Sequence, residues 1–242
     1  MPPIRFISFS LATWSAGPKT LTFPTPAGVR AGDALIYLGV SPSFQTITTP
    51  AELQVLGLFS DAGAGVTFLA CIRYAEAGEA ASRAYTFAAA PASPPLGACL
   101  LYRGLAAGPA VPVASGYSKF SAATTHIVSP SGNRVAYSDL HIAMGYSNAQ
   151  NATFTPLNNL VERVDHANGV GVNGSMAISD IRYDLLGLPG ASGAKEQTCS
   201  GSSTGAAISL FLASTPVPDS RGVGYIPNSD APGGIGLVDV GV

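Results

Sequence analysis

Apolar positions along the chain fall in short runs of about five to nine residues, each bounded by Gly, Pro, Ser or Asn. That is the punctuation of β-strands. In the first half the runs predict strands over Ile4 to Thr13, Ala34 to Val40, Leu53 to Ser60, Val66 to Ala75, Arg83 to Ala88 and Ala98 to Arg103. In the second half they predict His126 to Val128 with residues upstream, Leu140 to Tyr146, Leu160 to Asp165, Met176 to Tyr183, Glu196 to Ser200 and Ala206 to Leu212. Alternation is clearest in Ala84-Tyr85-Thr86-Phe87, which sets Tyr85 and Phe87 on one face. No stretch keeps helical spacing over three turns, although Ala75 to Ala81 has room for one short turn. Strands without crossover helices pair antiparallel and stack as layers, because each sheet has a face to bury. The expected fold is all-β, an antiparallel β-sandwich of jelly-roll type.

The two sets of runs echo one another, and internal repetition governs the fold when it is present. Gly32-Asp33-Ala34-Leu35-Ile36-Tyr37-Leu38-Gly39-Val40-Ser41 matches Ser138-Asp139-Leu140-His141-Ile142-Ala143-Met144-Gly145-Tyr146-Ser147. Thr48-Thr49-Pro50 before Leu53 matches Thr155-Pro156 before Leu160, Ile72-Arg73-Tyr74 matches Ile181-Arg182-Tyr183, and Gly97 to Tyr102 matches Gly205 to Leu210. The predicted organisation is a first β-sandwich repeat over 1–104, a connecting segment over 105–116, a second repeat over 117–215 and an extended C-terminal arm over 216–242. Two separate small sandwiches joined near 104–116 are the alternative arrangement. In the arm, Val238, Val240 and Val242 alternate as in a strand added to the edge of a neighbouring sheet. Val223, Tyr225, Ile226, Ile235, Leu237, Val238, Val240 and Val242 are its expected assembly contacts.

Composition narrows the function. Of 242 residues, 12 are Lys or Arg and 14 Asp or Glu, so 11% are charged, against about 25% in an ordinary soluble domain. A net charge of −2 lacks the basic footprint of a nucleic-acid binder, and no run reaches the ~18 apolar residues of a spanning helix. The expectation is no nucleic acid and no membrane as partner. The opening residues read as a strand and not as a signal sequence. Cys71, Cys99 and Cys199 are far apart, form no CxxC pair and read as buried free thiols.

Chemical motifs are sparse. Gly169-Val170-Gly171-Val172-Asn173-Gly174 has the spacing of a dinucleotide fingerprint but no helix follows it, and it reads as a hairpin turn. Gly201-Ser202-Ser203-Thr204-Gly205 has the spacing of a nucleophile elbow, yet a strand follows and no histidine comes after Ser203. The histidines His126, His141 and His166, with Asp139 and Asp165 as neighbours, show no metal-ligand spacing. No enzyme, no cofactor and no metal is expected. An exposed ring stacks on a sugar face, so Trp14, Tyr117 and Tyr146 are the candidate glycan contacts.

The succession Gly32-Asp33-Ala34-Leu35-Ile36, Thr49-Pro50, Ile72-Arg73-Tyr74-Ala75 with Gly78-Glu79, Tyr85-Thr86-Phe87 and Tyr102-Arg103-Gly104 resembles jelly-roll-like β-sandwich virion proteins of tailed bacteriophages. The likeness extends over about residues 28 to 213. Glu52-Leu53 stands where that group often has Gly-Trp after the Thr-Pro element, and the C-terminal arm lies outside the pattern. The resemblance implies a homo-oligomeric structural subunit at the particle surface, in head decoration or tail, made in the host cytoplasm and residing in the virion. Its implied partners are copies of itself and other virion proteins, with a host-surface glycan as a further contact. A carbohydrate-binding, lectin-like adhesion module is the alternative.

Overall fold

The computed structural model describes residues 4–17, 19–61, 65–87, 94–105, 115–131, 133–134, 139–167, 174–182 and 190–213. The first half contributes β1 (Arg5–Leu11), β2 (Thr13–Ser15), β3 (Thr20–Pro24), β4 (Ala34–Ser41), β5 (Ile47–Thr48), β6 (Gln54–Asp61), β7 (Val66–Tyr74), β8 (Ser82–Phe87) and β9 (Leu96–Arg103). The second contributes β10 (Ser115–Ser129), β11 (Asn133–Arg134), β12 (Asp139–Ser147), β13 (Phe154–Pro156), β14 (Val161–Ala167), β15 (Ser175–Arg182), β16 (Gly190–Ala191) and β17 (Lys195–Ala213). The chain is all-β with antiparallel sheets, as a β-sandwich requires, and no helix occurs among the described residues. The short turn of helix expected near Ala75 is instead a tight turn at Gly78, whose φ of 79° suits glycine. The arm residues Val223 to Val242 and residues 168–173 of the Gly-rich motif lie outside the described residues.

A five-stranded sheet of order β1-β9-β4-β7-β6 belongs to the first half, and the second half builds β10-β17-β12-β15-β14. Counted among the five strands of each sheet, the two orders follow the same sequence of chain ranks. The two sheets pack face to face over one central core. Ala34, Ile36, Leu38 and Val40 of β4, with Phe68 and Leu100, meet Leu140, Ile142 and Met144 of β12, with Ile178 and Ile208. Each sheet also carries an outer layer. In the first half β2-β3-β8-β5 covers the opposite face, where Leu21, Phe23, Leu35, Tyr37, Tyr85 and Leu101 form a second core. In the second half the far ends of the long strands do the same work. His126–Ser129 of β10 pairs with Lys195–Thr198 of β17, and β13 pairs with the same stretch. Ile127, Phe154 and Cys199 from this layer then pack on Ala177 and Ala207.

A strand covered on both faces reads as an unbroken apolar run, and this is why β4 (ALIYLGVS) lacks alternation. β3 was not among the predicted strands, although its pattern Thr-Leu-Thr-Phe carries a signal: Leu21 and Phe23 turn inward and are buried. β17 joins what reads as two short strands, because Ser200 to Thr204 looks like a loop but continues as strand. Of the matched strings, Ile72-Arg73 and Ile181-Arg182 do not occupy equivalent places, and Tyr183 lies outside the described residues. Ile72 pairs with Ile36 on the central-core side, whereas Ile181 pairs with His141, which stands one residue out of phase with the core-facing Ile142.

Candidate functional site

The charged motif residues prove to be clamps. Asp33, at the start of β4, receives Arg103 Nε and Nη2 at 2.7 Å each and the Arg30 backbone NH at 2.9 Å. Burial pushes its carboxyl up, but Arg103 and the Arg30 amide outweigh this and hold it below the usual range. Glu79 is buried and binds Arg73 Nε at 3.2 Å and Arg83 Nη2 at 2.6 Å, tying the end of β7 to β8. Burial raises its carboxyl as well, and the Glu76 amide with the two guanidinium groups brings it down overall. The neighbouring glycines are equally structural: Gly32, Gly78 and Gly104 all have φ near +80 to +87°.

The other candidates are dispersed. His126 is exposed and pairs with Glu196. His141 is fully buried, stacks on Phe211 at 4.1 Å and places Nε2 3.1 Å from Ser209 Oγ. Ser209 donates its own proton to Pro130 O at 2.7 Å, so His141 donates to the serine and does not activate it. His166 is half-buried; burial lowers its pKa and Asp165 works against that. Among the described residues no three His, Cys, Asp or Glu gather as metal ligands. Ser203 sits within β17 opposite Thr124, which is not an elbow. Cys71, Cys99 and Cys199 are buried and unpaired in disulfides, with burial pushing the Cys71 thiol up to about 11.

The expected glycan platform is not assembled. Tyr146 is sealed in the central core at 2% exposure and donates to Asn148 Oδ1 at 2.7 Å. Tyr117 is wedged between Phe59, stacked at 6.4 Å, and the edge of Phe68. Burial and then the Asp61 charge push its hydroxyl up to about 12. Trp14 is half-buried against the first outer core. Each ring is thus used for packing, which is what an aromatic in a layered β protein ordinarily does.

A cleft of about 560 Å³ opens where β1 and β9 of the first half meet β14 and β15 of the second. At its base lies Asp180, 3% exposed, whose Oδ2 accepts from Tyr102 Oη at 2.5 Å and from Arg163 Nε at 2.9 Å. Burial, reinforced by the Asp180 charge, raises the Tyr102 hydroxyl well above its ordinary range. Arg163 is held a second way, with its guanidinium carbon 4.6 Å from the centre of the Phe6 ring. Arg182 Nη1 donates to Ile4 O at 2.7 Å. Asn159 and Arg5 complete the polar lining, and Ile4, Leu140, Val161 and Ile181 the apolar part. Asn159 follows Asn158 in a turn of two successive left-handed residues, at φ 56° and 63°. The cleft was not foreseen, since its residues lie far apart in the chain and no motif joins them. The available signal was the presence of Arg163 and Arg182 within strands of a chain with so few charges.

No family model matches the chain, and neither curated proteins nor solved structures include a match.

Proposed function

We propose that the chain is a structural subunit of a tailed-bacteriophage virion, a head-decoration or tail component that works as an oligomer. The observation that carries the reading is that two sheets of the same strand order close on one another through a single apolar core. In the first half β1-β9-β4-β7 faces β3-β8-β5, with β6 kept beside β7, and we read this alternation between layers as that of a jelly roll. We read the whole as two degenerate copies of one repeat. The charged residues that bear the resemblance, Asp33, Arg73, Glu79 and Arg103, serve the scaffold, as befits a building block.

Two margins of the first sheet are apolar and exposed, Phe9 and Leu11 on edge strand β1 and Val55 and Leu58 on edge strand β6. Such margins suit contact with neighbouring subunits. In this reading the segment 216–242 supplies further contacts through Tyr225, Ile226, Val238, Val240 and Val242 as an added strand. The test is the mass by analytical sedimentation of the full chain and of a chain ending at Pro216, together with recovery of both in purified particles. The reading expects a multimer that the shorter chain fails to form or to keep in the particle. A full chain that stays monomeric and is absent from particles overturns it. The second reading, sugar recognition, draws on the cleft between the halves.

A further inference from the structure

We propose that strand β6 is a contact between two copies of this chain, pairing antiparallel with β6 of a second copy about a two-fold axis. The proposal names the occupant of one margin noted above, and rests on that reading only in taking the chain to work as an oligomer. Among the described residues β6 is bonded to β7 on one side and to no strand on the other. An open edge of this kind offers a row of unpaired amide and carbonyl groups. The other edges are guarded. Edge β14 holds Glu162, Arg163 and Asp165, and β10 holds Lys119 and His126. β1 begins with Arg5, and its Ser8 and Ser10 hydroxyls tie it to the carbonyls of Ala27 and Pro24. In the first outer layer the edges β2 and β5 are only three and two residues long. By contrast β6, QVLGLFSD, has eight residues, and its one charge is Asp61 at the last position, held by Lys119 at 3.2 Å.

Shape, charge and area all fit a second copy. Val55 and Leu58 pair with Cys71 and Leu69, which face the first outer core, so both stand on the outer face of β6, where they remain 49% and 45% exposed. Phe44, 56% exposed, lies between two residues pinned beside the same strand: the Gln45 amide donates to Thr67 Oγ1 at 2.9 Å, Thr67 donates to Ser43 O at 3.1 Å, and Thr67 is the partner of Ser60 of β6. An apolar patch therefore adjoins the open edge. A two-fold axis at Leu58, near the middle of the strand, sets this side chain against Leu58 of the second copy. The β-bulge between Val55 and Gly57 falls short of that central pairing. The two Asp61 carboxylates then lie ~20 Å apart at ~3.4 Å per residue, well beyond the ~8 Å screening length of physiological salt. No like charges meet. The margin is also deep enough, since β6 lies over β10 through Phe59 and Tyr117 and beside β5, whose Ile47 shares a core with Leu53 and Leu69. A strand ~27 Å long and three layers at ~10 Å spacing present about 800 Å² per copy, the share of each partner in a standard interface. Such a contact is self-complementary and closes after two copies.

The test is analytical sedimentation of the full chain over a range of micromolar concentrations, set beside Leu58→Lys, and cross-linking of Leu58→Cys with oxidised glutathione as the oxidant. The full chain is expected at an even multiple of its 24.4 kDa. Leu58→Lys puts like charges opposite one another across the axis and is expected to weaken association by about tenfold or more. Its far-ultraviolet circular dichroism should be unchanged, because Leu58 is exposed. Leu58→Cys is expected to give a disulfide-linked dimer, while Leu11→Cys, exposed on β1, stays unlinked and the native thiols, all buried, do not react. A monomer at every concentration, association that ignores Leu58→Lys, or a link at Leu11→Cys as fast as that at Leu58→Cys overturns the proposal. A Leu58→Cys link that forms only in the chain ending at Pro216 assigns the edge to the segment 216–242 and overturns it as well. A linked dimer missing from purified particles sinks the virion assignment alone, and a monomer recovered in particles sinks this contact alone.

Discussion

Single residues decide where the strands are tied. The Glu79 side chain is 2% exposed between Arg73 and Arg83, themselves 16% and 12% exposed. Removing it leaves two largely buried guanidinium groups without their main counter-charge. Glu79→Ala is expected to cost about 3 kcal/mol, the lower end of what breaking a buried pair costs, measured by urea unfolding. Glu79 and Asp33 both have depressed carboxyl pKa values. Their stabilisation is therefore present above the unfolded values of about 4.5 and 3.8 and is lost as pH falls through the folded ones. Glu79→Gln should flatten part of that acid limb. Close approach is the other residue-scale constraint: a Cβ on Gly205 would lie 2.2 Å from Tyr146 O across the β12–β17 ladder. Backbone cannot yield as a flexible side chain does, so Gly205→Ala is expected to lower the melting temperature by well over 10 °C in a thermal scan, or to prevent folding.

At the scale of elements, equivalent strands have been filled differently. Leu35 in β4 and His141 in β12 both lie one residue past the strand's first core-facing position and point to the outer layer. The first outer core is apolar, while the second holds His141, Ser179, Gln197 and Ser209 fully buried. His141 Nδ1 has no partner there; burial first, and the Lys195 charge second, lower its pKa from 6.5 to about 3. The neutral ring is thus the folded form. Its stabilisation is complete above pH 6.5 and declines as pH falls from 6.5 toward 3, by up to about 5 kcal/mol at 1.36 kcal/mol per unit. His141→Leu, which copies the first half, should remove this slope from urea midpoints measured between pH 7 and 4. A slope unchanged by the substitution would refute the account. Such differences also show what was legible in the chain. Long runs such as β4, β7 and β9 were readable because burial on both faces leaves them largely apolar. The two-residue β5 and the three-residue β13 were not, because elements so short are set by the strand they pair with. The ion pairs of Asp33 and Glu79 lay hidden inside recognisable strings. The cleft stayed hidden because Arg5, Tyr102, Arg163 and Asp180 meet only after both sheets have closed.

For the whole molecule the decisive feature is that the central core belongs to neither half. Ile36, Leu38, Phe68 and Leu100 are buried only because Leu140, Ile142, Met144 and Ile208 stand opposite. Polar contacts seal the margins: Tyr102 to Asp180, Arg182 to Ile4 O, and Lys119 to Asp61 at 3.2 Å. Separating the halves would expose a whole apolar sheet face on each, at about 25 cal/mol per Å², and no outer layer could make good that loss. The two halves should therefore unfold together. A test uses the single Trp14 to report the first half and the buried Cys199 thiol, with Cys71 and Cys99 replaced by alanine, to report the second. Leu38→Ala deletes a fully buried side chain of the first half and should cost about 2–5 kcal/mol. Coupled halves require Trp14 fluorescence and Cys199 reactivity to shift to lower urea by the same amount. If Cys199 kept its original midpoint while Trp14 moved, the second half would be standing alone, and a site made by closure of the two sheets would lose its structural basis.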